Sequence, residues 1–125
     1  ANEITEHSMI YSFKMIATTE AILRIDYDKR IKNRYKDNLS RDFRSINNTY
    51  QNGVPLNITI DLWVQNYPSA KKHFSEFRRI LNERHWIAHG RYWILKSGKI
   101  HDLLDVFLTC QSIINLINAT AHNTA

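Results

Sequence analysis

The chain has 125 residues, 43% of them hydrophobic, with only 3 Gly, 2 Pro and 1 Cys. That is enough chain for one domain, residues 1–125, with a core of its own, and a composition so poor in turn-formers excludes a loop-rich, disordered or disulfide-stapled protein. Seventeen basic against twelve acidic residues give a formal charge of +5, which favours polyanionic partners such as RNA, DNA or an anionic membrane face without choosing among them.

No stretch approaches the ~18 consecutive apolar residues of a membrane span, and the N-terminus lacks a basic region followed by an uninterrupted apolar one. The expectation is a cytoplasmic protein without a membrane partner, Ala1 being compatible with removal of an initiator Met. Cys110, inside an apolar run, suits a reducing compartment.

In chain order, Thr5 to Asp37 contains no Gly or Pro and carries Ile10, Phe13, Ile16, Ala17, Leu23 and Tyr27 at helical recurrence, predicting one long helix. Its second half, "DYDKRIKNRYKDN", mixes charges of both signs and reads as a solvated face. Ser40 is placed to cap a second helix, "RDFRSINNTY", ended by the turn signal "NGVP". In "NITIDLWVQNYP" the alternation of Ile58 and Ile60 suits a strand, but no second strand offers a pairing partner, and a short helix capped by Asp61 is preferred.

Pro68 and Ser69 open a helix of about five turns, "AKKHFSEFRRILNERHWIAH", stopping at Gly90, a residue suited to a left-handed C-terminal cap. After a polar connector with Ser97 and Gly98, a last helix carries Leu103, Phe107, Cys110, Ile114 and Ile117 at helical spacing. Leu104, Leu108, Ile113 and Leu116 widen that stripe and predict burial on more than one side, within the fold or against a second copy. The predicted fold class is all-α, an antiparallel bundle of four or five helices.

Lys71, Lys72, Arg78, Arg79, Arg84, Arg91, Lys96 and Lys99 fall in one stretch whose only acids are Glu76 and Glu83. At ~100° per residue, Phe77, Ile80, Leu81, Ile87 and Ala88 gather in one third of the helix circumference, with Arg84 near the middle. A guanidinium stays charged at ordinary pH, and burying it unpaired costs several kcal/mol. Arg84 therefore snorkels out of the core, pairs with a buried acid, or faces a cleft or partner subunit.

His85 and His89 lie one turn apart at the edge of the same stripe, a spacing that suits proton exchange or metal binding. The metalloprotease pattern H-E-x-x-H is absent and no third ligand stands out, so no metal and no cofactor is expected. Cys110 reads as a small core hydrophobe, Ser69 and Ser97 as cap and turn residues, and three ungrouped glycines make no phosphate loop.

"RHWIAH", Arg84 followed by a polar residue and, after Trp86, Ile87 and Ala88, by His89, resembles the motif of the HEPN family of small all-helical domains. The continuation "GRYW", the connector ending in "SGKIHD" and the final apolar helix look like a subgroup of that family; the likeness covers residues 69 to 118. Many of its members are metal-independent RNA-cutting enzymes of toxin–antitoxin and phage-defence systems. The resemblance implies an RNA substrate and His89 as the proton-transfer group for the 2′-hydroxyl and the leaving 5′-oxygen. It implies Arg84 as the guanidinium that stabilises the phosphorane-like transition state, with His85 beside them. Arg91 and Tyr92, by proximity, are candidates for contacting the RNA.

Five residues place Arg84 and His89 about 140° apart on a regular helix, so they converge only if the helix end distorts or two chains each contribute. The family's usual arrangement, a homodimer with paired motif helices lining one cleft, provides the second route. The antitoxin implied is a small protein, a nucleotidyltransferase-type partner that modifies the toxin, or a larger defence complex. Two other readings compete: a non-catalytic helical module binding a protein or nucleic acid, and a His-rich metal protein.

Overall fold

In the computed structural model, residues 2–50, 53–88 and 103–121 are described, with side chains for residues 11, 13–50, 53–82 and 105–121. Among these are five α-helices, one 3-10 turn and no strand, which is the expected all-α class. None of the described helices is long and apolar enough to cross a membrane.

The first helix, α1, runs from Asn2 to Lys32. Ile16, Thr19, Leu23, Tyr27 and Arg30 are buried along one face at three- and four-residue steps. The helix ends before the expected Asp37, because Arg34 turns into the left-handed region at φ 50°. There the Arg34 N–H donates to the Ile31 carbonyl at 3.2 Å and the Tyr35 N–H to the Arg30 carbonyl at 3.3 Å, closing the last turn.

Asp37 instead caps α2, Asn38–Asn47, where its carboxylate accepts from the Ser40 N–H at 3.1 Å and the Ser40 hydroxyl at 2.7 Å. Ser40, expected as the cap, is thus buried inside the helix, because a carboxylate three residues upstream serves the orphan N–H groups better.

The third helix, α3, spans Leu56–Asn66 and begins at Leu56 rather than after a cap at Asp61. The Pro55 carbonyl accepts the first bonds, from Ile58 and Thr59, and Asp61 sits exposed in mid-helix as the ion-pair partner of Arg78. Ile60 and Trp63, one turn apart, are fully buried, and Ile58 is packed against the same core, so the apparent alternation is part of a helical stripe.

A 3-10 turn, Pro68–Ala70, leads into α4, Lys71–Ala88. Ala70, Phe74, Phe77 and Ile80 are buried, in the expected phase. Arg78 pairs with Asp61 and donates to the Asn57 carbonyl at 3.0 Å, tying α4 to α3, while Arg79 pairs with Glu76. Two members of the basic stretch are therefore engaged within the fold.

The last helix, α5, covers Leu103–Thr120. Its buried face is Val106, Thr109, Cys110, Ile113, Ile117 and Thr120, rotated from the expected stripe so that Phe107 and Leu108 stand about half exposed. Thr120 takes a core position because its hydroxyl is satisfied within the helix and on Arg30. α1 and α5 form the most extensive helix pair. The Cys110 thiol meets Thr19 and the Thr120 hydroxyl meets Arg30, so α1 and α5 advance together and run parallel. The core fills the space between them with Leu23, Phe43, Ile60, Trp63, Phe74, Phe77, Ile80 and Ile113.

Candidate functional site

The motif is carried by α4. Phe74, Phe77 and Ile80 fix the buried phase of that helix, which continues unbroken through Ala88. Arg84 follows Phe77 by seven residues and Ile80 by four, so regular geometry keeps its α-carbon on that phase and places His85 one step around. The side chains of Arg84 and His85, and all of His89, Arg91 and Tyr92, lie outside the described residues.

The described residues do contain a fully buried arginine, on a different helix. Arg30 is 0% exposed, and Asp26 beside it 6%. Its Nε donates to Asp26 Oδ2 at 2.7 Å, Nη1 to Asp37 Oδ2 at 3.3 Å, and Nη2 to the Thr120 hydroxyl at 2.6 Å. The guanidinium carbon lies 5.0 Å from the Trp63 ring centroid, a cation–π distance. Charge, planar donors and ring face are all engaged, so one side chain joins α1, the α2 cap, α3 and the end of α5. This corrects the reading of "DYDKRIKNRYKDN" as a solvated face at Asp26 and Arg30, while Asp28, Lys29, Lys32, Arg34 and Lys36 are exposed as expected. Residues 23, 26, 27 and 30 share the core phase, and the charged ones enter it as a matched set.

Burial pushes the Asp26 carboxyl above the ordinary carboxylate value of 3.8, and the opposing pull of Arg30 is the smaller effect. Tyr67 is raised for the same reason, reinforced by Asp37. Tyr27 is pushed up to about 12, mainly by burial and secondarily by Asp28, and donates its hydroxyl to Asn47 Oδ1 at 3.1 Å. The two tyrosines stay protonated at neutral pH. Cys110 behaves as expected from its apolar surroundings: burial raises its thiol, which moves it away from nucleophilic chemistry.

Sequence reasoning missed the Arg30 centre. The available signal was Asp26 and Arg30 at i, i+4, on the same phase as Leu23 and Tyr27.

No protein-family model matches the chain, and comparisons with curated proteins and with solved structures return no match.

Proposed function

We propose that the chain is a metal-independent endoribonuclease, a toxin of a toxin–antitoxin or phage-defence system, acting on RNA as a homodimer. The observation that carries this reading is the phase of α4: an unbroken helix keeps the Arg84 α-carbon in line with Phe77 and Ile80, in a sequence where His89 follows Ala88. Arg30 shows what a core arginine requires, two carboxylates, a hydroxyl and an aromatic face. An arginine on the Arg84 phase finds a natural use where a cleft brings it a phosphate.

In this reading His89 moves the proton from the 2′-hydroxyl and supplies one to the 5′-oxygen, while Arg84 donates paired hydrogen bonds to the non-bridging oxygens as charge gathers there. His85 orients the phosphate, and Arg91 and Tyr92 hold the flanking RNA. The half-exposed Phe107 and Leu108 of α5, and Tyr11 of α1, supply apolar surface that a second copy would cover, the arrangement that lets Arg84 of one chain approach His89 of the other.

Recombinant protein incubated with single-stranded RNA in EDTA tests the reading. Cleavage leaving a 2′,3′-cyclic phosphate, abolished by Arg84→Ala and by His89→Ala in folded protein, is expected. Intact RNA with a folded dimeric wild type, together with binding of a partner that either substitution weakens, would assign the chain to the non-catalytic helical class instead.

A further inference from the structure

The α1–α2 corner combines backbone strain, unmatched positive charge and a polar cavity. Between residues 29 and 44 the only acids are Asp37 and Asp42. Both are engaged internally, Asp37 on Arg30 and the α2 cap, Asp42 as acceptor of the Asn66 amide at 2.9 Å. Lys32, Arg34, Lys36 and Arg41 are exposed, Arg44 is half-buried, and none of the five has an ion pair among the described residues. A cavity of about 340 Å³ opens here, lined by Ile31, Arg34, Arg44, Ser45, Asn47 and Asn48, with donors on nearly every side and no carboxylate.

The donors are held in place. Arg44 Nη1 donates to the Tyr35 carbonyl at 2.7 Å, which orients the guanidinium and leaves its other N–H groups without a partner among the described residues. Asn47 Oδ1 accepts from Tyr27, so its N–H₂ is the free end of that amide. Arg34 stands in the left-handed region that glycine fills without strain, although Asn33, a residue that tolerates it better, is next door. Strain kept at a charged residue on a cavity rim is characteristic of binding sites.

Two helix C-termini converge at this corner and oppose an anion with roughly half a negative charge each. Their carbonyls are partly consumed, by the N–H groups of Arg34 and Tyr35 at α1 and of Thr49 and Tyr50 at α2. Two full guanidinium charges outweigh what is left.

We propose that the cavity between Arg34 and Arg44 binds a phosphate group, specifically a backbone phosphodiester of single-stranded RNA. The RNA identity rests on the ribonuclease reading, whereas the phosphate chemistry stands on this corner alone.

The test is binding of a fluorescent single-stranded RNA in the His89→Ala background, across a salt series and with inorganic phosphate as competitor. Using uncut RNA keeps the outcome separate from success or failure of the cleavage reading. Arg34→Gly removes the guanidinium while suiting the backbone. It is expected to raise the melting temperature, weaken RNA binding about tenfold and lower the salt slope by about 0.7, the value for one single-strand phosphate. Lys14→Ala, an equal loss of charge at an exposed position of α1, is expected to leave affinity nearly unchanged. Equal losses from the two substitutions would overturn the proposal in favour of diffuse attraction, and so would an unchanged affinity and slope for Arg34→Gly. If inorganic phosphate stabilises the parent but not Arg34→Gly while RNA affinity is the same in both, the site takes free phosphate and the RNA assignment is overturned.

Discussion

Replacing Arg30 with Met removes a guanidinium that is 0% exposed and keeps most of its volume. Asp26, with a side chain 7% exposed, loses its 2.7 Å partner, Asp37 loses a 3.3 Å contact, and the Thr120 hydroxyl loses a 2.6 Å donor. Stripping one member from a buried ionic set costs about 3–5 kcal/mol, most of it the charge left behind. That is a large share of the ~5–15 kcal/mol by which domains are stable, and corresponds to a melting point lower by about 10–20 °C for a chain of this size. Urea unfolding followed by far-UV circular dichroism measures it. The double substitution Arg30→Met, Asp26→Leu removes the stranded charge as well and is expected to recover about half of the loss or more, since apolar replacement of a whole buried pair is often neutral. A single-variant loss below about 1 kcal/mol would refute the role given to Arg30. A double variant less stable than the single one would refute the view that the uncompensated Asp26 charge is what makes the single change costly.

Two further outcomes follow from the same interior. Asp26 holds its proton in the fold above 3.8, so its contribution favours the fold at low pH and is lost as pH rises through the folded value. The stability of Asp26→Asn relative to the parent should therefore increase from acid toward neutrality, and a pH-independent difference would contradict the assigned shift. The Cys110 thiol is buried and raised, so a thiol reagent at neutral pH should label the native protein far more slowly than the urea-unfolded chain. Equal rates would show that the α1–α5 contact opens freely.

The helical class was legible because Gly and Pro are scarce and apolar residues recur at three and four. The buried phase of α4 was legible from the stripe of Phe77, Ile80, Leu81, Ile87 and Ala88, of which Phe77 and Ile80 are fully buried and Leu81 is packed against the core. Helix ends were less legible, since they depend on which of several side chains wins a cap. Asp37 and Ser40 are both good candidates, and the choice of Asp37 is tied to Arg30, a contact made seven residues upstream. Phe107, expected to be buried within the fold or against a second copy, is 46% exposed because Val106 and Thr109 take the core positions, a rotation that a broad apolar stripe does not announce. The charged half of α1 was legible only in part, since Asp28, Lys29 and Lys32 are exposed as expected whereas Asp26 and Arg30 are buried. Mixed charge along a helix describes a solvated surface equally well as a matched buried set, and only the partners from α2 and α5, distant in sequence, decide between them.

Counting engaged donors separates the arginines of this protein by role, and the same measure discriminates between the readings of Arg84. Every donor direction used at Arg30 ends on an acid or hydroxyl, and its removal is a stability event. Arg34 has no ion pair among the described residues, and its removal is expected to be a binding event. If Arg84 is a phosphate anchor in a cleft, Arg84→Ala should behave like Arg34: RNA cleavage is lost while the unfolding midpoint moves by less than about 1 kcal/mol, as for a residue outside the packed core. If Arg84 is instead matched to a buried acid, the same substitution should cost about 3–5 kcal/mol, and any loss of RNA cutting would follow from unfolding. Urea titration and RNA cleavage on one preparation of Arg84→Ala distinguish the cases. A large stability loss that parallels the activity loss across temperature would remove Arg84 from the catalytic role and return it to the core.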